Sequence, residues 1–101
     1  MVELEVQGWQ LEIDEVKVDQ IIDLRTSDRF GRGHMPGAIN VPYTRFQIDI
    51  LSLLQQGSVV LVVDAGGARA AEMAVWLRAR GFSACYLAGG MVGWMGERER
   101  V

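Results

Sequence analysis

Val59-Val60-Leu61-Val62-Val63-Asp64-Ala65-Gly66-Gly67-Ala68-Arg69 is the stretch on which the fold turns. Its first five residues are apolar and mostly β-branched, a run too short for a membrane span and suited to a strand buried on both faces. Turn signals bound it, with Gly57 and Ser58 before and Asp64, Gly66 and Gly67 after. From Arg69 to Arg80 an apolar stripe of Met73, Ala74, Trp76 and Leu77 recurs at helical spacing, and Gly81 ends it. Strand, tight loop and helix in that order are the repeating half of a βαβ fold.

The same alternation extends in both directions. Upstream, Ile21-Ile22-Asp23-Leu24 reads as a buried strand, Thr26 to Phe30 as one or two capped helical turns, and Ala38 to Val41 as another short strand. Tyr43, Phe46, Ile50, Leu53 and Leu54 fall on one helical face, with Gly57 expected as the helix C-cap. Downstream, Ala84 to Leu87 is a last strand, and Gly89-Gly90 turns the chain into a short helix carrying Met91 and Trp94. Residues 1–18 are harder to place in this scheme. Val2 to Val6 alternates with period two, Gly8 interrupts, and Trp9 to Ile13 alternates again, which predicts a strand or a hairpin. Residues 97–101 read as a frayed tail. The expectation is one α/β domain over 1–101, with a mostly parallel central sheet and helices on both faces.

Composition bounds what such a domain does. The chain has 101 residues, 50% of them hydrophobic and 23% charged. That is one core's worth of apolar material and excludes intrinsic disorder. One cysteine, Cys85, excludes an internal disulfide framework, and with a single histidine a structural zinc site is not expected. The start lacks the basic flank and apolar stretch of a secretory signal, so a cytoplasmic address without membrane contact is the simplest reading. The net charge of −3 argues against a nucleic-acid partner. It is unevenly spread: seven acids and one base lie up to Asp23, and nine arginines and six acids lie beyond it. The arginine-rich part is the one that would face an anion.

In open α/β sheets ligands bind beyond the carboxyl ends of the strands. The loop Asp64, Ala65, Gly66, Gly67, Ala68, Arg69, Ala70 occupies that place after the most apolar strand. A strand end followed by a helix start gathers unpaired backbone N–H groups, and the helix dipole adds partial positive charge. Arg69 adds a guanidinium, the residue most open to anion binding. Asp64 in this setting is expected to turn its carboxylate into its own cradle, accepting from the loop N–H groups and from Arg69. Cys85, inside a strand, is expected to behave as a small buried hydrophobe, and Trp9 stands out as an aromatic free to contact a partner.

Several motifs, taken together, resemble the rhodanese-like domain. Asp23-Leu24-Arg25 is similar to the family's D-x-R, and Gly33-His34-Met35-Pro36-Gly37-Ala38-Ile39-Asn40-Val41-Pro42 to its G-H-I-P-G-A-x-N-x-P. Gly67-x-Arg69 and the closing Gly81-Phe82, Leu87, Gly89-Gly90 and Trp94 follow in the family's order, so the resemblance covers about residues 20 to 95. It implies a sulfurtransferase fold in which a loop Cys-x-x-Gly-x-Arg-Ser/Thr takes a sulfane sulfur as a persulfide and passes it to a thiol or cyanide. Aligned on that loop, Asp64 occupies the cysteine position and Ala70 the hydroxyl position. A thiolate is soft and attacks sulfur, whereas a carboxylate is hard and forms no stable persulfide. The resemblance therefore implies a catalytically inactive module of the family. It would need no cofactor or metal, would have no confident catalytic residue, and would bind a small anion or a protein partner. The alternative is an active enzyme with an unconventional nucleophile, either a sulfurtransferase or an aspartyl phosphoryl-transfer enzyme.

Overall fold

The apolar run quoted above forms the middle of a five-stranded sheet in the computed structural model, which describes residues 2–101. In chain order the elements are β1 (Glu5–Val6), α1 (Gly8–Glu12), β2 (Gln20–Asp23), α2 (Ser27–Arg32), β3 (Ile39–Asn40), α3 (Tyr43–Asp49), β4 (Val59–Val63), α4 (Ala68–Arg78), β5 (Ser83–Leu87) and α5 (Gly90–Gly93). A single 3₁₀ turn, Ile50–Ser52, prolongs α3. The strands lie in the order β1-β5-β4-β2-β3, and every pairing is parallel. Val60 stands opposite Ala84 on one side of β4 and Gln20 on the other.

Burial on both faces follows from the pleat of β4. Val60 and Val62 point into one core layer with Phe46, Ile50, Met73, Ala74 and Leu77, supplied by α3, its 3₁₀ extension and α4. Leu61 and Val63 point into the other, with Val6, Cys85, Leu87, Met91 and Trp94. Helices thus flank the sheet on both sides. Because the strands are parallel, β2, β4 and β5 all end on the same rim, and the loops after Asp23, Val63 and Leu87 meet there.

Three expectations change. Trp9 to Glu12 is not the second strand of a hairpin but part of helix α1. The Gln10 side chain accepts from the Gln7 N–H at 2.8 Å, closing the first turn, and a Cβ on Gly8 would meet the Trp94 ring at 3.3 Å. The strand half of the prediction survives as β1, which pairs with β5 rather than with its neighbour in sequence. Gly57 is not a helix C-cap: the helix has ended by Leu53, and Gly57 turns the chain toward β4 with φ +79° in open space. The tail is tied down. Glu99 and His34 exchange backbone hydrogen bonds at 2.7 and 2.9 Å, and Val101 N–H donates to the Gly31 carbonyl at 3.0 Å. Among the described residues no helix is long and apolar enough to cross a membrane.

Candidate functional site

Asp64 is the first residue beyond β4 and is buried. Its Oδ1 accepts from the Gly67 N–H at 2.5 Å, and its Oδ2 accepts from the N–H groups of Arg69 and Ala70 at 2.9 and 3.0 Å. These are the orphan donors of the first turn of α4, and a carboxylate is the side chain best suited to take them all. Gly67 caps the helix with φ +110°, which lets its N–H face back toward Asp64. The loop is pressed from behind by α5. Met91 N–H donates to the Asp64 carbonyl at 2.8 Å and Val92 N–H to that of Ala65 at 3.0 Å.

Arg69 does not reach Asp64 with its side chain. Its guanidinium lies over the Tyr43 ring, 4.5 Å from the centroid, and Arg69 bonds Asp64 through its backbone N–H alone. Tyr43 in turn donates its hydroxyl to Glu72 at 2.6 Å. That hydrogen bond, with burial and the Glu72 charge, pushes the phenol above its ordinary range, and Arg69 opposes the shift. The expected Asp64–Arg69 contact is replaced because the Tyr43 ring offers the planar cation a face to stack on, while Asp64 is already saturated by N–H donors.

The neighbouring motifs brace the rim. Asp23 is fully buried and grips Arg25 through both carboxylate oxygens, the shortest contact being 2.8 Å. The same guanidinium donates to the Gly33 carbonyl at 2.8 Å. Asn40 Nδ2 donates to the carbonyls of Asp23 and Arg25 at 3.1 and 2.8 Å. His34 stacks on Phe30 with 3.7 Å between ring centroids, and its Nδ1 is 2.8 Å from the Phe30 carbonyl. These contacts fix the loops around the site.

Cys85 is buried in β5, with its Sγ 3.6 Å from the Val60 carbonyl, and burial pushes the thiol up to about 11. It faces the core on the side of the sheet away from α4. Trp9 is half exposed on α1. Among the described residues no cluster of three or more His, Cys, Asp or Glu side chains is placed to hold a metal ion.

In front of Asp64 opens a cavity of about 570 Å³, walled by Leu24, Thr26, Arg29, Pro42, Tyr43 and Arg69 among others. Of these, Arg29 and Tyr43 are additions to the sequence-derived site. Tyr43 is hidden in the sequence because it shares a helical stripe with core residues. Arg29 is hidden because nothing local distinguishes it from any solvated helix charge.

With this geometry in hand, the comparisons with known proteins place the chain. A family model described as "Rhodanese-like domain" matches residues 7–97, so the chain belongs to the rhodanese-like family. It is 34% identical over 80 residues to an uncharacterized protein, YibN, of Escherichia coli, covering 76% of this chain and 56% of that one. It is 33% identical over 97 residues to a tRNA sulfurtransferase of Desulfurococcus amylolyticus, covering 95% of this chain and 19% of that one. The chain thus spans little more than half of the first relative and a fifth of the second. Among solved structures, a rhodanese-like domain protein of Staphylococcus aureus superposes with a TM-score of 0.84 at 28% identity, covering 98% of this chain and 99% of that one. A rhodanese-like domain from an Anabaena protein superposes with a TM-score of 0.83 at 25% identity, covering 99% and 81%. The five-stranded parallel α/β architecture is that of the family.

Proposed function

We propose that this domain is a catalytically silent rhodanese-like module, and that Asp64 stands where the active members of the family carry their cysteine. On this reading the whole chain acts as one binding or regulatory unit at the old active-site loop, without a cofactor. The observation that carries it is the triple N–H coordination of the Asp64 carboxylate. In a working sulfurtransferase such donors are free to receive the anionic donor and its charged intermediates. Here they are consumed by a resident carboxylate. That group is hard, forms no stable persulfide, and repels a second anion at ~4 Å by roughly 1–4 kcal/mol, depending on how wet the cavity is.

The only cysteine offers no substitute. Its thiol lies in the core, and with a pKa of about 11 it holds almost no thiolate at neutral pH. Use of Asp64 as a nucleophile toward phosphorus finds no support either. Both its oxygens are committed to N–H donors, and among the described residues no group of three or more His, Cys, Asp or Glu side chains is placed to hold a metal.

A thiosulfate:cyanide assay tests the reading. The native protein is expected to give no thiocyanate above background. Asp64→Cys is expected to gain one sulfur on incubation with thiosulfate, read by mass spectrometry of the intact chain. Sustained turnover by the native protein would overturn the proposal.

A further inference from the structure

The cavity in front of Asp64 does not end at the loop. A second cleft of about 380 Å³ runs between α2 and α5, and the two share Arg25, Arg29 and Ala65 as walls. Together they form one groove that passes over the Asp64 loop and out beside Val92 and Arg98. Three guanidinium groups along it have no carboxylate partner. The Arg29 side chain makes no hydrogen bond or ion pair among the described residues, Arg69 lies on the Tyr43 ring, and Arg98 donates only to the carbonyls of Met91 and Trp94. Between and beside these charges the walls mix apolar residues, Leu24, Pro42 and Ala65 within and Val92, 84% exposed, at the rim, with Thr26, Thr44 and the Asp64 carboxylate, whose charge its three N–H donors offset.

We infer that this groove receives an acidic peptide segment of a protein partner, with apolar residues between its carboxylates. The inference rests on the reading of the site as a binding module. A small anion would need donors converging on one point, and Asp64 holds those. What remains is positive charge spread along a line, which an extended chain with several carboxylates matches and a single ion does not. The exposed Val92 supplies a contact for an apolar residue of the same segment. A single-stranded nucleic acid fits less well. It requires open aromatic faces for its bases, and in this groove Arg69 already covers the ring of Tyr43.

The test is a titration of the isotope-labelled full chain, followed by amide NMR. The probe is a synthetic peptide in which glutamates alternate with leucine and alanine. Shifts are expected at the amides of Arg29, Ala65, Arg69 and Val92. Arg29→Glu is expected to weaken binding by about tenfold or more, and added salt to weaken it further. Arg29, where the two clefts join, and Val92, at the rim, are exposed, so Arg29→Glu and Val92→Asp probe the groove at two points without touching the core. Equal binding of the same peptide with lysine in place of glutamate would overturn the inference. So would shifts confined to other surfaces, or indifference to both variants. Tighter binding of oligouridylate at the same amides would overturn it in favour of nucleic acid. The sulfur-transfer assay on the same sample separates the two claims: an inactive protein that ignores the peptide fails only this one.

Discussion

Asp64 concentrates the chemistry of this domain in one carboxylate. Both oxygens accept backbone N–H bonds at the start of α4, so the side chain acts as part of the helix as much as of the site. Asp64→Asn keeps the shape but loses the charge and turns an N–H₂ toward N–H donors; it is expected to lower stability by about 2 kcal/mol in urea unfolding. Asp64→Gly empties the cradle instead. Sulfate is then expected to raise the melting temperature of the variant by more than it raises that of the native protein, because it binds the freed N–H groups, as thermal scans over a sulfate series will show. Cys85 makes a separate prediction. In the unfolded chain its thiol ionises near 9.0, and in the fold only near 11. The stability tied to the neutral thiol is therefore complete below pH 9 and lost as pH rises toward 11. Cys85→Ala is expected to flatten part of that alkaline fall in urea-melt midpoints, and native Cys85 to resist iodoacetamide at neutral pH.

At the scale of elements, the seating of α5 against the loop depends on Gly90. A Cβ there would stand 2.5 Å from the carbonyl carbon and oxygen of Ala65, on a residue whose φ is +57°. Gly90→Ala is expected to cost about 2–5 kcal/mol. Gly57→Ala, with a similar φ but open space around it, is expected to cost only about 1 kcal/mol. Urea denaturation of the pair separates crowding from backbone strain. The elements differ in how far they can be read from sequence. β4 and α4 are legible because a β-branched run and a long amphipathic stripe each have one reading. Trp9 to Glu12 is not, because so few residues fit period two and one helical turn equally well; packing of α1 against Trp94 decides. At the site, the place of Asp64 between strand end and helix start is legible. The turn of Arg69 to Tyr43 is not, because that partner lies on another helix and is brought near only by the sheet.

Across the whole molecule, the sheet is closed by its ends. β1 and β3, two residues each, cover the two flanks of the longer strands and leave little edge for another chain to pair with. β1 is held at long range: Tyr86 donates its hydroxyl to Glu5 at 2.7 Å, and Arg78 donates to the Val2 carbonyl at 2.6 Å. Because this docking spans nearly the full chain, it belongs late in folding. Val6 is buried, and Val6→Ala is expected to cost about 2 kcal/mol, expressed as faster unfolding with an almost unchanged refolding rate. Stopped-flow kinetics across a denaturant series will show in which limb the change lies. On a ribosome the same arrangement imposes a delay. Within this domain Glu5 and Val6 are made well before their seat along Tyr86 and Leu87. The nascent chain therefore carries β1 unattached until β5 has been made.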